Sequence, residues 1–130
     1  MTNQEIYDAA LAMACEIEDD SGANEDYEAR APYLIAAICY RYAELDVRYR
    51  EAKGLDAQRL LAINCLPLGA TFPLCDDFAP AVSTALAGML VMSENPEMCE
   101  RLSTLSEDLT RELRARIPYQ TEQIAQTYAL

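Results

Sequence analysis

The chain has 130 residues, is 52% hydrophobic, and carries 22 acidic against 10 basic residues, a formal charge of −12 at pH 7. That length suits one domain with a self-sufficient core, and so negative a field repels phosphate backbones, which argues against direct nucleic-acid binding and favours basic protein surfaces or divalent cations. Histidine is absent and the five cysteines (Cys15, Cys39, Cys65, Cys75, Cys99) form no CxxC pair; this excludes the familiar zinc frameworks, Glu-x-x-His di-iron bundles and triads with a histidine base.

The N-terminal MTNQEIYDAA has neither the basic start nor the apolar stretch of a secretory leader, and no 18-residue apolar run follows. A cytoplasmic protein with reduced, mostly buried thiols is therefore expected. Ile6, Ala10, Met13 and Ile17 recur on one helical face and predict a helix over residues 3–19, capped by Thr2 or Asn3. Asp19-Asp20-Ser21-Gly22 reads as its terminating turn.

A second helix is expected over 25–53, striped by Leu34 or Ile35, Ile38, Tyr42, Leu45 and Tyr49, with its regular part starting near Pro32 and Gly54 at its end. Around 33–40 it is apolar on nearly all sides, which predicts a central place in the bundle. Residues 56–62 read as a short helix and 63–76, with Pro67, Gly69 and Pro73, as irregular.

Residues 77–93 carry hardly a charge and predict the core helix. Val82, Leu86, Met89 and Leu90 point inward, and Gly88 permits a close helix approach. Asn95 caps the next helix, Pro96 fills its first position and Glu97 its acid-favouring first turn. That helix runs 96–117 on Met98, Leu102, Leu105, Leu109, Leu113 and Ile117, with Arg111, Arg114 and Arg116 at its negative end and Pro118 as its stop. No period-2 strand pattern appears. The reading is an all-α, single-domain bundle of about four main helices over residues 1–117, followed by a weakly structured C-terminal arm, 118–130.

Several acidic patterns invite chemistry. In 16–28 (EIEDDSGANEDYE), a calcium loop with Gly22 at its sixth position would place Ile17, which lacks a side-chain oxygen, at its first. The magnesium-dependent all-helical nucleotide pyrophosphatases use ExxE followed by ExxD; here Glu94, Glu97 and Glu100 overlap as ExxE with no ExxD after them. Residues 66–82 (LPLGATFPLCDDFAPAV) divide into a proline-stiffened apolar crossing, Leu66 to Leu74, and a helix start. Asp76 and Asp77 are expected to start the core helix, one carboxylate capping it and both favouring its positive end, so replacing either with alanine should cost about 1 kcal/mol. Tyr119 and Tyr128 lie in the arm, where no core stripe claims them, and are candidate partner contacts.

Four segments together carry a family resemblance: EIYDAALAM near the start, YEARAPYLIAAICYRYAELD (27–46), LCDDFAPAV (74–82) and ALAGMLVMSENPEM (85–98). With a final helix and a late tyrosine, Tyr128, the chain resembles the small head–tail connector, or head-completion, adaptors encoded among prophage head and tail genes. Cys75 stands where that family joins its Leu directly to the Asp pair. The resemblance implies an all-helical structural protein that is a virion component or resides in the bacterial host. It would form a homo-oligomeric ring with phage portal or tail proteins as partners, with no active site and no cofactor. The alternative reading is an acidic helical binding module, a regulator or DNA mimic; a magnesium-dependent hydrolase stands third.

Overall fold

A computed structural model describes residues 1–14, 23–57, 60 and 63–117. Helix α1 spans Asn3–Ala14, α2 Ala23–Ala52, α3 Ala79–Val91 and α4 Pro96–Ala115; a 3-10 turn, Asp76–Phe78, leads into α3. The protein is an all-α, single-domain bundle, and the described residues contain no strand beyond an isolated antiparallel bridge between Thr2 and Thr71.

Helix α3 is central and touches all three other helices. Its sequence explains why. Ala81, Val82, Leu86, Ala87, Leu90 and Val91 are buried around its whole circumference, as an all-round apolar helix requires. Its buried hydroxyls bond within the helix: Ser83 donates to the Ala79 carbonyl at 2.8 Å and Thr84 to the Pro80 carbonyl at 2.6 Å. Gly88 gives α4 its close approach, since a Cβ there would lie 3.4 Å from the Leu102 Cβ and 3.5 Å from the Cys99 carbonyl oxygen. Alanine would just fit and would gain helix propensity, so Gly88→Ala is expected to leave stability level or raise it by up to about 1 kcal/mol. Gly88→Val should lower it by about 1–3 kcal/mol through overpacking. Denaturant titration of the two variants checks the pair.

The helix directions follow from the cross-contacts. Tyr27 near the start of α2 donates to Glu94 just before α4, and Tyr42 bonds Ser106 and Thr110 further along, so α2 and α4 run parallel. Arg30 of α2 donates to the carbonyl of Leu90 at the end of α3, while Phe78 at the start of α3 meets Tyr42 and Tyr49; α3 is antiparallel to both.

Several boundaries and placements differ from the sequence-based expectation, among them the core helix, which spans Ala79–Val91 rather than 77–93. Helix α2 begins at Ala23 rather than near Pro32, because its first turns are held by buried Tyr27 and Ala31 and by Arg30 on Leu90. Pro32 has no N–H for the Glu28 carbonyl, but its own carbonyl accepts from Leu66 at 3.0 Å. Helix α2 is also not the central element: Tyr33 and Tyr40 are 60% and 57% exposed. Helix α4 stops at Ala115, and Leu105 on its apolar stripe is 47% exposed. Residues 55–57 and 60 are not helical, whereas 58, 59, 61 and 62, like the predicted turn at 19–22 and the arm 118–130, lie outside the described residues.

Other signals hold. Gly54 takes φ 71° after α2; Gly54 N–H donates to Glu51 at 3.2 Å and Leu55 N–H to Arg50 at 2.8 Å, the paired bonds of a Schellman ending. Thr2 rather than Asn3 opens α1. Its Oγ1 accepts from Glu5 N–H, and its own N–H donates to the Glu5 carboxylate, both at 3.4 Å, a long capping box. Asn3 is instead fully buried, its Nδ2 donating to the Pro67 carbonyl at 3.0 Å. The proline-rich crossing is thereby stitched to the N-terminus: Asn3 N–H donates to Ala70, Gln4 N–H to Leu68 and Phe72 N–H to Met1. Leu66, Phe72 and Leu74 fill the core beneath it.

Candidate functional surface

Of the residues singled out in the sequence, Asn95 does what its position predicts. Its side chain accepts from Met98 N–H at 3.1 Å with Pro96 next in line. Asn95→Ala should cost about 1 kcal/mol in a denaturant titration.

Asp76 and Asp77 do not cap. The chain first winds a 3-10 turn, with Phe78 N–H donating to the Cys75 carbonyl at 2.9 Å. This places Cys75 at the N-cap of the turn and Phe78 at that of α3, neither with a side-chain cap bond. The turn is held from α2 instead: the buried Asp46 carboxylate accepts from Cys75 N–H at 2.8 Å and from Arg50 Nε at 3.0 Å. Asp77 has a different task, accepting from the hydroxyl of buried Tyr49. Asp76 is exposed, so Asp76→Ala should fall within about 0.5 kcal/mol of wild type, below the capping cost. Tyr119 and Tyr128 lie outside the described residues.

The hydrogen bond to Asp77 is the first cause of a raised Tyr49 pKa; burial adds to it, and the Arg116 guanidinium opposes it. Tyr49 is neutral below its pKa and phenolate above, so a raised folded value means that the folded chain keeps the proton longer. The associated stability is complete below the ordinary tyrosine range and is lost as pH rises through the raised value. Tyr49→Phe should therefore flatten the alkaline fall in stability, read as denaturation midpoints from pH 8 to 11. Cys39, fully buried in α2, has its thiol pushed up to about 12 by burial first and by the Asp46 charge second.

A cleft of about 220 Å³ lies between the 3-10 turn and the end of α4, lined by Asp76, Asp77, Pro80, Leu109, Glu112 and Arg116. Among the described residues, no three His, Cys, Asp or Glu side chains are grouped so as to hold a metal ion, and no helix is long and apolar enough to cross a membrane.

The conspicuous surface feature is on α2. Tyr33, Ala37, Tyr40, Arg41, Glu44 and Arg48 are exposed, and their spacing puts them along one face of the helix. Two large aromatics beside arginines match the composition of protein–protein contact centres. The sequence-based expectation of a central helix, apolar on nearly all sides around 33–40, hides this face; the 3.6-residue period, with 33, 37 and 40 on the side opposite the buried stripe, carries the signal. A second feature follows from the parallel run of α2 and α4. Exposed Glu25, Asp26 and Glu28 start one helix, and exposed Glu94, Glu97 and Glu100 flank the start of the other, so both groups occupy one end of the bundle. Compared with protein-family models, curated proteins and solved structures, the chain matches none.

Proposed function

We propose that the protein is a non-enzymatic structural adaptor of a prophage particle, as its resemblance to head–tail connector proteins implies. In this reading it assembles as a homo-oligomer against portal or tail proteins, as a virion component or in the bacterial host. The supporting observation is the exposed Tyr33–Tyr40 face of α2 with Arg41 and Arg48 alongside. Tyrosine supplies large contact area at small entropic cost, and Tyr and Arg are enriched among the residues that dominate binding. Closed rings are built from heterologous contacts between identical copies. A negative inner wall would repel passing DNA rather than hold it.

Electron microscopy and light scattering of the chain with a cognate portal ring test the proposal. Rings bound to the portal are expected, with Tyr33→Ala and Tyr40→Ala weakening the association at least about tenfold. A persistent monomer that ignores the portal would overturn it. One observation favours a second reading, the acidic binding module: the six exposed carboxylates gathered at the paired starts of α2 and α4 suit a basic protein site. Under that reading a pulldown returns a basic partner, and neutralising Glu94, Glu97 and Glu100 together releases it.

A further inference from the structure

A groove of about 520 Å³ runs between α2 and α4. The two helices meet across it through hydroxyls: Tyr42 bonds Thr110 at 2.6 Å and Ser106 at 3.3 Å, and Ser106 donates to the Ala81 carbonyl of α3 at 3.0 Å. Thr110 also donates to the Ser106 carbonyl at 2.8 Å. The floor is completed by Leu45, Ala85 and Met89. Arg41 stands on the α2 wall, and Arg111 and Arg114 on the α4 wall.

The charge economy here is unusual. Acids outnumber bases by 22 to 10 in the chain, and Arg30, Arg50, Arg101 and Arg111 each have a carboxylate within 4.0 Å. Arg41 and Arg114 make no such ion pair among the described residues, although Glu107 lines the same groove. In so acidic a chain, two guanidiniums without an ion pair, one on each wall of the same groove, leave a local positive site.

We infer that this groove binds an acidic amphipathic helix of a partner protein. The floor selects against a small buried anion, because its hydroxyls are engaged with one another and with Ala81 and the rest of it is apolar. An occupant must therefore be apolar below and negative along both edges. From Ser103 to Arg114 the α4 wall rises about 16 Å, the length of about three helical turns. Helix-in-groove docking and acidic-motif capture by arginines supply the two halves of such recognition. The inference does not rest on the portal reading: Arg41 borders both surfaces, but Arg114 lines the groove alone, so the single variant Arg114→Glu should weaken peptide binding and leave ring assembly unchanged.

The test uses the full chain and a fluorescein-labelled helical peptide of about five turns, with leucine on one face and glutamate on both flanks, followed by fluorescence anisotropy. Saturable binding that weakens with added salt is expected, as is a loss of at least about tenfold in the double variant Arg41→Glu, Arg114→Glu. Both sites are exposed, so circular dichroism of the variant should match wild type. Absence of peptide binding, or binding unchanged in the double variant, would overturn the inference. Displacement of the peptide by millimolar inorganic phosphate at constant ionic strength would overturn it in favour of a small-anion site. Binding of the peptide only to a self-associated form in sedimentation equilibrium would also overturn it, assigning the groove to a second copy of the chain.

Discussion

Replacing Phe78 with alanine should lower the unfolding free energy by about 3–5 kcal/mol, the range for deleting a fully buried aromatic side chain. Phe78 is 0% exposed and meets two rings edge to face, Tyr42 at 6.0 Å and Tyr49 at 5.6 Å. Such pairs add about 0.5–1.5 kcal/mol each beyond area burial, so the loss should lie toward the upper part of the range. Those two tyrosines bind α4 through Ser106 and Thr110 and the 3-10 turn through Asp77. A cavity at Phe78 therefore loosens three elements at once. Phe78→Leu keeps most of the volume and should cost less than half as much. Urea denaturation of the three proteins checks the order, and equal losses for Leu and Ala would show that the ring pairs, rather than the filled volume, hold the site.

The second large effect belongs to Asp46. Its carboxylate is buried and serves two donors, Arg50 and the Cys75 backbone. Asp46→Ala leaves Cys75 N–H without its acceptor and a partly covered guanidinium without its counter-charge. Breaking a fully buried ion pair costs about 3–5 kcal/mol. The Arg50 side chain is 26% exposed and can regain water, so about 2–3 kcal/mol is expected. Asp46→Asn keeps the acceptor for Cys75 and loses the charge, and should recover about half of that. If Asn is as damaging as Ala, the charge on Arg50 governs the site; if Asn is harmless, the Cys75 bond does.

The helices were legible because periodicity and punctuation agree with their surroundings. Asn95-Pro96-Glu97 announces a start through local bonds that need no distant partner, and Gly54 announces an end in the same way. The apolar run in 77–93 contains its own burial. What remained hidden depends on long-range pairing. Nothing local to Asp76 and Asp77 says that the chain will turn before the helix begins, or that a carboxylate from α2 will hold Cys75. Asp46 reads as half of an ordinary i,i+4 pair with Arg50; the clue was its place beside Tyr42, Leu45 and Tyr49 on the buried side of α2. The surface aromatics were missed for a related reason. Tyr carries as much apolar area as core residues, and composition in a window cannot separate the two sides of a helix. The groove needed the relative direction of α2 and α4, which only their cross-links reveal.

The stitching of the first four residues to the proline-rich crossing has a consequence for the birth of the protein. Asn3 reaches Pro67 across 64 residues, Tyr27 reaches Glu94 across 67 and Tyr42 reaches Thr110 across 68. Bundles of helices ordinarily fold fast because most of their contacts are local. Here the N-terminal helix emerges from the ribosome long before the segment that clasps it. With synthesis running at about 5–20 residues per second, α1 waits several seconds with Ile6, Tyr7 and Ala10 unclasped. The molecule closes only when its second half arrives.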